Sequence, residues 1–158
     1  MKSVSLSELK KELQEIPQKE LIELCVAVAK YKKDNKEFLS YLLFDAHDKN
    51  AFVTEVKAEI DEQINTLKSQ PNLYFVKKGL RKTLRIITKY DKYISDKALS
   101  ADLHIYFCSK LKHSGIPYYK SQLIINMYEQ QLKKINILIG SLHEDLQQDY
   151  MKDLESIS

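Results

Sequence analysis

Apolar residues recur along this chain at intervals of three and four, the spacing that lays them along one side of an α-helix. Leu6, Leu9, Leu13 and Ile16 form the first such run, and Ser5 with Glu8 makes a capping-box pair at its start. Pro17 ends that helix and opens the next, since proline is tolerated at a first helical position. The second helix is expected to run to about Lys33. Leu21, Leu24, Cys25 and Val28 line one side of it, and Ile22, Val26 and Ala29 broaden the stripe. A stripe that wide implies packing against two neighbours. Asp34-Asn35 breaks the pattern and offers a cap, and Phe38, Leu39, Leu42 and Leu43 mark a short third helix.

After a polar turn from Asp45 to Asn50, the spacing predicts a fourth helix to about Ser69. Its apolar face carries Phe52, Val53, Val56, Ile60, Ile64 and Leu67, and its other face is acidic, with Glu55, Glu59, Asp61 and Glu62. Pro71 ends it, and Asn72 can cap a fifth helix that continues to about Ile94. Gly79 lies inside the fifth helix, where it costs ~1 kcal/mol against alanine. A close helix–helix approach would justify it. Ser95-Asp96 can cap a sixth helix bearing Leu99, Leu103, Tyr106, Phe107 and Leu111. Lys110, Lys112 and His113, followed by Ser114-Gly115, give that helix a good C-terminal signature. A seventh runs from Pro117 to Ile139. There Gly140-Ser141 either breaks it, with Ser141 and Glu144 as a second capping box, or lets it continue to about Leu154.

The prediction is an all-α fold of seven to eight helices, forming one domain over residues 1–158. Short connections imply stacked antiparallel pairs, either α-solenoid-like in the HEAT or armadillo manner or an irregular helical bundle. No internal repeat of ~40 residues is evident.

Composition agrees. Gly79, Gly115, Gly140, Pro17, Pro71 and Pro117 are the only glycines and prolines among 158 residues, too few for a strand-and-turn fold. The same scarcity excludes phosphate loops and nucleophile elbows, which are built on glycine. Hydrophobic residues at 44% and charged residues at 30% describe a globular chain. Cys25 and Cys108 are isolated, as expected of reduced thiols in a cytosolic core. Met1 to Lys11 is polar with no signal-peptide stretch, and the longest apolar segment, Leu24 to Ala29, is too short to span a bilayer. A cytoplasmic location is the expectation.

A resemblance strengthens the fold. The opening LSELKKELQEIPQKELIELCVAVAKYKKDNKEFLSYLL resembles the start of a family of small, uncharacterised bacterial helical proteins. In that family a Leu-Lys-Lys helix, a short break, a Glu-Leu-Ile-rich helix and a Lys-Glu-Phe-Leu helix follow one another. KKGLRKTLRIITKY and ADLHIYFCSKL are similar to its middle and C-terminal helices. The resemblance covers most of the chain and implies the all-helical fold. The family has no assigned activity to carry onto any residue. Pro17 departs from its pattern, standing where a serine-type cap is expected.

Charge supplies the main functional candidate. The net charge is only +3, but Lys77 to Lys92 holds seven basic residues and one acid, leaving −3 for everything else. Lys77, Lys78, Arg81, Lys82, Arg85, Lys89 and Lys92 cover an arc of about 140° at ~100° per residue. Leu73, Val76, Leu80, Leu84 and Ile87 take the opposite side. Arg81 and Arg85, the protein's two arginines, stand one turn apart and suit bidentate contact with a carboxylate or phosphate. Such a stripe attracts acidic protein, phosphate or lipid headgroups, or else it is a solvated face or one neutralised by the fourth or final helix. Tyr90 and Tyr93 angle toward the apolar side, which argues against a base-stacking platform.

Other constellations are weaker. His104 and Cys108 share one flank of the sixth helix, but two ligands do not make a zinc site. The plainer reading makes Cys108 a small hydrophobe and His104 a boundary residue. Cys25, in the stripe of the second helix, is expected to be buried and inert. Ile116-Pro117-Tyr118-Tyr119 is a hydrophobic turn in which Tyr118 and Tyr119 either anchor a partner or staple the helix start. The segment after Ser141 is acidic and could lie on the surface or dock on the basic stripe of a second molecule. No catalytic motif, metal set or cofactor signature is found. The expectation is a non-catalytic cytoplasmic module that binds an unidentified protein, with a nucleic-acid-binding accessory protein as the alternative. A homo-oligomer is compatible with either.

Overall fold

The structure, a computed structural model, describes residues 4–158, so the Met1–Ser3 part of the polar opening lies outside the described residues. It is all-helical. Eight α-helices follow one another, with no strand among the described residues. Length alone leads one to expect a single domain. The chain divides into two compact units, one ending at Phe44 and the other spanning Asp45–Ser158.

In the first unit, α1 (Leu6–Glu15) starts with the predicted capping box. The Ser5 amide donates to Glu8 Oε2 at 2.8 Å and the Glu8 amide donates to Ser5 Oγ at 3.3 Å. Pro17 separates it from α2 (Gln18–Tyr31). α3 (Lys33–Ser40) begins earlier than the Asp34-Asn35 break anticipates, because the chain extends at Lys32 instead. Asn35 does not cap a helix start. Its side-chain amide donates to the Val28 carbonyl at 2.9 Å, tying α3 back to α2. A π-helical turn, Tyr41–Asp45, continues α3. None of α1, α2 or α3 buries a residue. Cys25 is therefore exposed, against expectation: α1, α2 and α3 leave an open groove beside it.

The second unit is built from α4 (Lys49–Lys68), α5 (Leu73–Ile94), α6 (Lys97–Lys112), α7 (Gln122–Gly140) and α8 (Glu144–Ile157). Asp48, Asn72 and Asp96 cap α4, α5 and α6 with their side-chain oxygens. Gly79 is explained by a close approach, since a Cβ there would run into the δ carbons of Leu67 on α4. α6 packs against α4, α5, α7 and α8. A helix with four neighbours must be apolar over most of its circumference, and α6 keeps one polar flank, with Asp102, Tyr106 and Lys110. Leu103, Ile105, Phe107 and Leu111 are all buried, as are the small or polar Ser100, Ala101, His104 and Cys108. In a solenoid each repeat meets only its neighbours. This unit is instead a bundle wrapped around α6.

The Gly140 question resolves as a break. α7 ends at Gly140, and the Ser141 hydroxyl donates to the Leu138 carbonyl. Ser141 therefore serves the end of α7, and the second capping box does not form, because His143 occupies the cap position of α8. α8 is held to its neighbours by Tyr150 Oη donating to the Ala98 carbonyl at 3.1 Å and Tyr128 Oη donating to the Ile157 carbonyl at 2.6 Å. Between α6 and α7, a short 3-10 turn at Tyr118–Lys120 replaces the predicted start of the seventh helix.

Candidate functional site

α5 turns its apolar side onto α4 and α6 and leaves its basic side outward. Arg81, Lys82, Arg85, Lys78 and Lys92 are exposed, while Lys77 and Lys89 are partly covered. The single acid of the segment, Asp91, does not dilute the stripe, because it points inward. Its Oδ2 accepts from His104 Nε2 and from Lys134 Nζ, both at 2.8 Å.

The stripe is organised in three parts. At its start, Tyr74 is exposed, with Lys77 Nζ 5.1 Å and Lys78 Nζ 5.5 Å from its ring centroid. At its end, Lys89 Nζ lies 5.1 Å from the Tyr90 ring and 5.9 Å from Tyr93. Tyr90 itself turns inward, donating to Glu59 Oε2 at 3.2 Å and meeting the edge of Phe52. Between the two ends, Arg81 and Arg85 border a cleft of about 430 Å³ between α5 and α7. Among the described residues no carboxylate pairs with either arginine. Two alternatives from the sequence, neutralisation by α4 or by the final helix, therefore do not apply to these two cations. Two acids of α4 are engaged elsewhere: Glu59 accepts from Tyr90 at 3.2 Å, and Asp61 accepts from Tyr106 at 2.8 Å and pairs with Lys110 at 3.0 Å.

Leu84, Leu123 and Met127 give the cleft an apolar wall, and Asn126, Gln130 and Gln131 supply amides. No acid lines it. The Thr88 hydroxyl is occupied with the Leu84 carbonyl at 2.8 Å. Two guanidinium groups one turn apart, beside neutral amides and an apolar wall, can grip a carboxylate or phosphate that carries an apolar neighbour. The volume falls within the range of small-ligand sites. The cleft's lining holds no histidine, cysteine or carboxylate.

Gln131 connects this cleft to the interior. Its Oε1 lies 2.9 Å from His104 Nδ1, so both ring nitrogens of His104 are engaged. His104 is thus a buried polar node and not the boundary residue its sequence position implies. Burial pushes the Asp91 carboxyl up. The hydrogen bonds from His104 and Lys134 outweigh that and hold it below the usual carboxylate range. Cys108 is fully buried, and burial pushes its thiol up to about 12. Among the described residues, no three His, Cys, Asp or Glu side chains converge as metal ligands.

The aromatic turn divides. Tyr118 is half-buried and stacks on Tyr128, with centroids 5.5 Å apart and planes at 21°. Tyr119 is 65% exposed. The sequence reading missed Tyr74 and Phe75, an exposed edge-to-face pair at the head of the basic stripe. The signal was present: by the ~100° rule both fall on or beside the basic arc, not with Leu73 and Val76. Among the described residues, no helix is long and apolar enough to cross a membrane. No family model, no curated protein and no solved structure matches the chain.

Proposed function

We propose that this protein is a non-catalytic, cytoplasmic interaction module that receives an acidic segment of a partner protein in the cleft between α5 and α7. The observation that carries this reading is the pair of exposed arginines without carboxylate partners among the described residues, set over a cleft lined by amides and apolar carbons. An acidic side chain on a peptide would bring a carboxylate to Arg81 and Arg85 and apolar neighbours to Leu123 and Met127. The exposed Tyr74–Phe75 pair extends the surface with side chains of the kind that anchor interfaces.

A second reading has its own support. Seven cations on one helix face, with no acid among them, match the electrostatic footprint of a nucleic-acid-binding surface. Under this reading the protein is an accessory factor that grips phosphates along α5.

One experiment separates the two. Fluorescence anisotropy is measured with a labelled Glu/Leu-rich peptide and with labelled single- and double-stranded DNA and RNA, across a salt series. Wild type is compared with Arg81→Glu/Arg85→Glu. Peptide binding that the variant loses supports the first reading. Nucleic-acid binding that falls steeply with salt and is lost in the variant supports the second, because counterion release drives such contacts. Absence of both at low salt overturns the cleft as a binding site.

A further inference from the structure

The Gln131 amide has one end in the interior and the other in the cleft. Its Oε1 lies 2.9 Å from His104 Nδ1. Its Nε2 is bonded to no other described residue and is not among the buried polar atoms left without a partner. Gln131 lines the cleft with Arg81 and Arg85, so that nitrogen opens into the cleft as an unused donor.

Asp91 decides which protons His104 carries. Its Oδ2 lies 2.8 Å from His104 Nε2 and 2.8 Å from Lys134 Nζ. A carboxylate paired with an ammonium only accepts, so Nε2 bears a proton. Nδ1 faces Oε1, which also only accepts, so Nδ1 bears a proton as well and the ring is an imidazolium. Once Nδ1 loses its proton it becomes an acceptor, and only the NH2 group of Gln131 can meet it. The amide must then turn over and show the cleft Oε1 in place of Nε2. The ring cannot swing away instead, because His104 is 1% exposed and is held on both sides.

Among the described residues, no other charged group is bonded to the ring. α5 contributes Asp91, and α7 contributes Lys134 while Glu129 and Lys133 face solvent. α4 sends Lys57 and Asp61 to Asp102, Tyr106 and Lys110, which stand about 120° or more around α6 from His104 at ~100° per residue. The acids of α8 are exposed. Cys108, one turn along α6, stays a neutral thiol, pushed up to about 12 by burial.

We propose that His104 and Gln131 form a proton-controlled switch on the cleft: the imidazolium turns a donor toward an acidic ligand, and the neutral ring turns an oxygen toward it. This rests on the reading of the cleft as the seat of an acidic segment. Proton loss removes one donor and adds one repelling oxygen, so affinity falls as pH rises. Between pH 6 and 8 the arginines stay charged and the glutamates of a peptide stay ionised, since glutamate titrates near ~4.3. By linkage, the bound ligand holds the Nδ1 proton in place.

The test is fluorescence anisotropy with a labelled Glu/Leu-rich peptide between pH 6 and pH 8 at constant ionic strength, using wild type and Gln131→Leu. Wild-type affinity is expected to rise several-fold from pH 8 to pH 6. The variant keeps His47, His113 and His143 but lacks the turning amide, so its affinity should change less than half as much. Proton–nitrogen NMR spectra of free wild type follow the His104 ring and the Gln131 side-chain amide over the same range, and the two are expected to change at one midpoint. Equal pH dependence in both proteins overturns the proposal. So does a ring that keeps its Nδ1 proton throughout, or a Gln131 signal that stays still while that proton leaves. If the variant does not fold, the wild-type spectra decide alone. A peptide that binds at no pH overturns the reading of the cleft, while the spectra still judge the switch, so the two failures are distinguishable.

Discussion

Gln131 and His104 share a contact of 2.9 Å between Oε1 and Nδ1, and Gln131 also lines the cleft beside Arg81 and Arg85. One side chain therefore belongs both to the cleft and to the buried network that joins α5, α6 and α7.

This predicts a split between neighbouring residues. Replacing Arg81 and Arg85 with alanine should change folding stability by no more than about 0.5 kcal/mol, the usual effect of a surface substitution without partners. Gln131→Ala should lower it by about 1–3 kcal/mol, because it strands a buried ring nitrogen. Urea denaturation of the three variants measures both, and equal losses would refute the division.

The Asp91 carboxyl is held below its ordinary range, which fixes a pH dependence. A depressed folded value means the group contributes stability at pH above the unfolded carboxylate value of about 3.9. That contribution fades as pH falls through the lower folded value. Asp91→Asn should cost about 2 kcal/mol near neutrality, in line with hydrogen bonds to a charged group. The gap from wild type should narrow on acidification. Stability curves for both proteins at successive pH values would reveal a constant gap if this account is wrong.

Gly79→Ala sets two effects against each other. Helix propensity gains ~1 kcal/mol, while the new methyl must displace the δ carbons of Leu67, a strain of about 1–3 kcal/mol. Leu67 is buried, so the strain is expected to win and the melting temperature to fall. A higher melting temperature would mean that Leu67 swings aside freely.

Ser95 ends α5 in the left-handed region, at φ 48° and ψ 45°. That backbone costs a side-chain-bearing residue roughly 1 kcal/mol or more. Ser95→Gly should therefore stabilise the protein by about 0.5–1 kcal/mol. Thermal melts decide the sign.

The two thiols should behave differently. Cys108 is buried, with its thiol pushed up to about 12, and should resist alkylation near pH 8 until the protein unfolds. Cys25 is exposed on the first unit and should react without unfolding. Peptide mapping after a timed pulse of iodoacetamide tests this. Early modification of Cys108 would contradict its burial.

The helices were legible in the sequence because local signals mark them: Ser5 with Glu8, Asn72, Asp96, and Gly115 after the cations of α6. So was the basic arc of α5, since it depends only on helical periodicity. What was not legible came from tertiary placement. Asp91 and His104 lie 13 residues apart, and nothing local says that they bond or that Gln131 and Lys134 complete the set. Cys25 was misjudged for the same reason. An apolar stripe states a demand for burial but does not say whether the same chain meets it. The cleft needs α7 beside α5, a neighbour relation that periodicity does not encode.

α6, enclosed by α4, α5, α7 and α8, has a consequence for amide hydrogen exchange. A backbone N–H at Leu103 or Phe107 can reach deuterated solvent only when the surrounding helices open together, so its protection reports the global free energy of the second unit. The amides of α1 have no such enclosure and can exchange by local fraying. Low protection at Leu9 beside high protection at Phe107 would separate a helix that opens by itself from one that opens only with its neighbours.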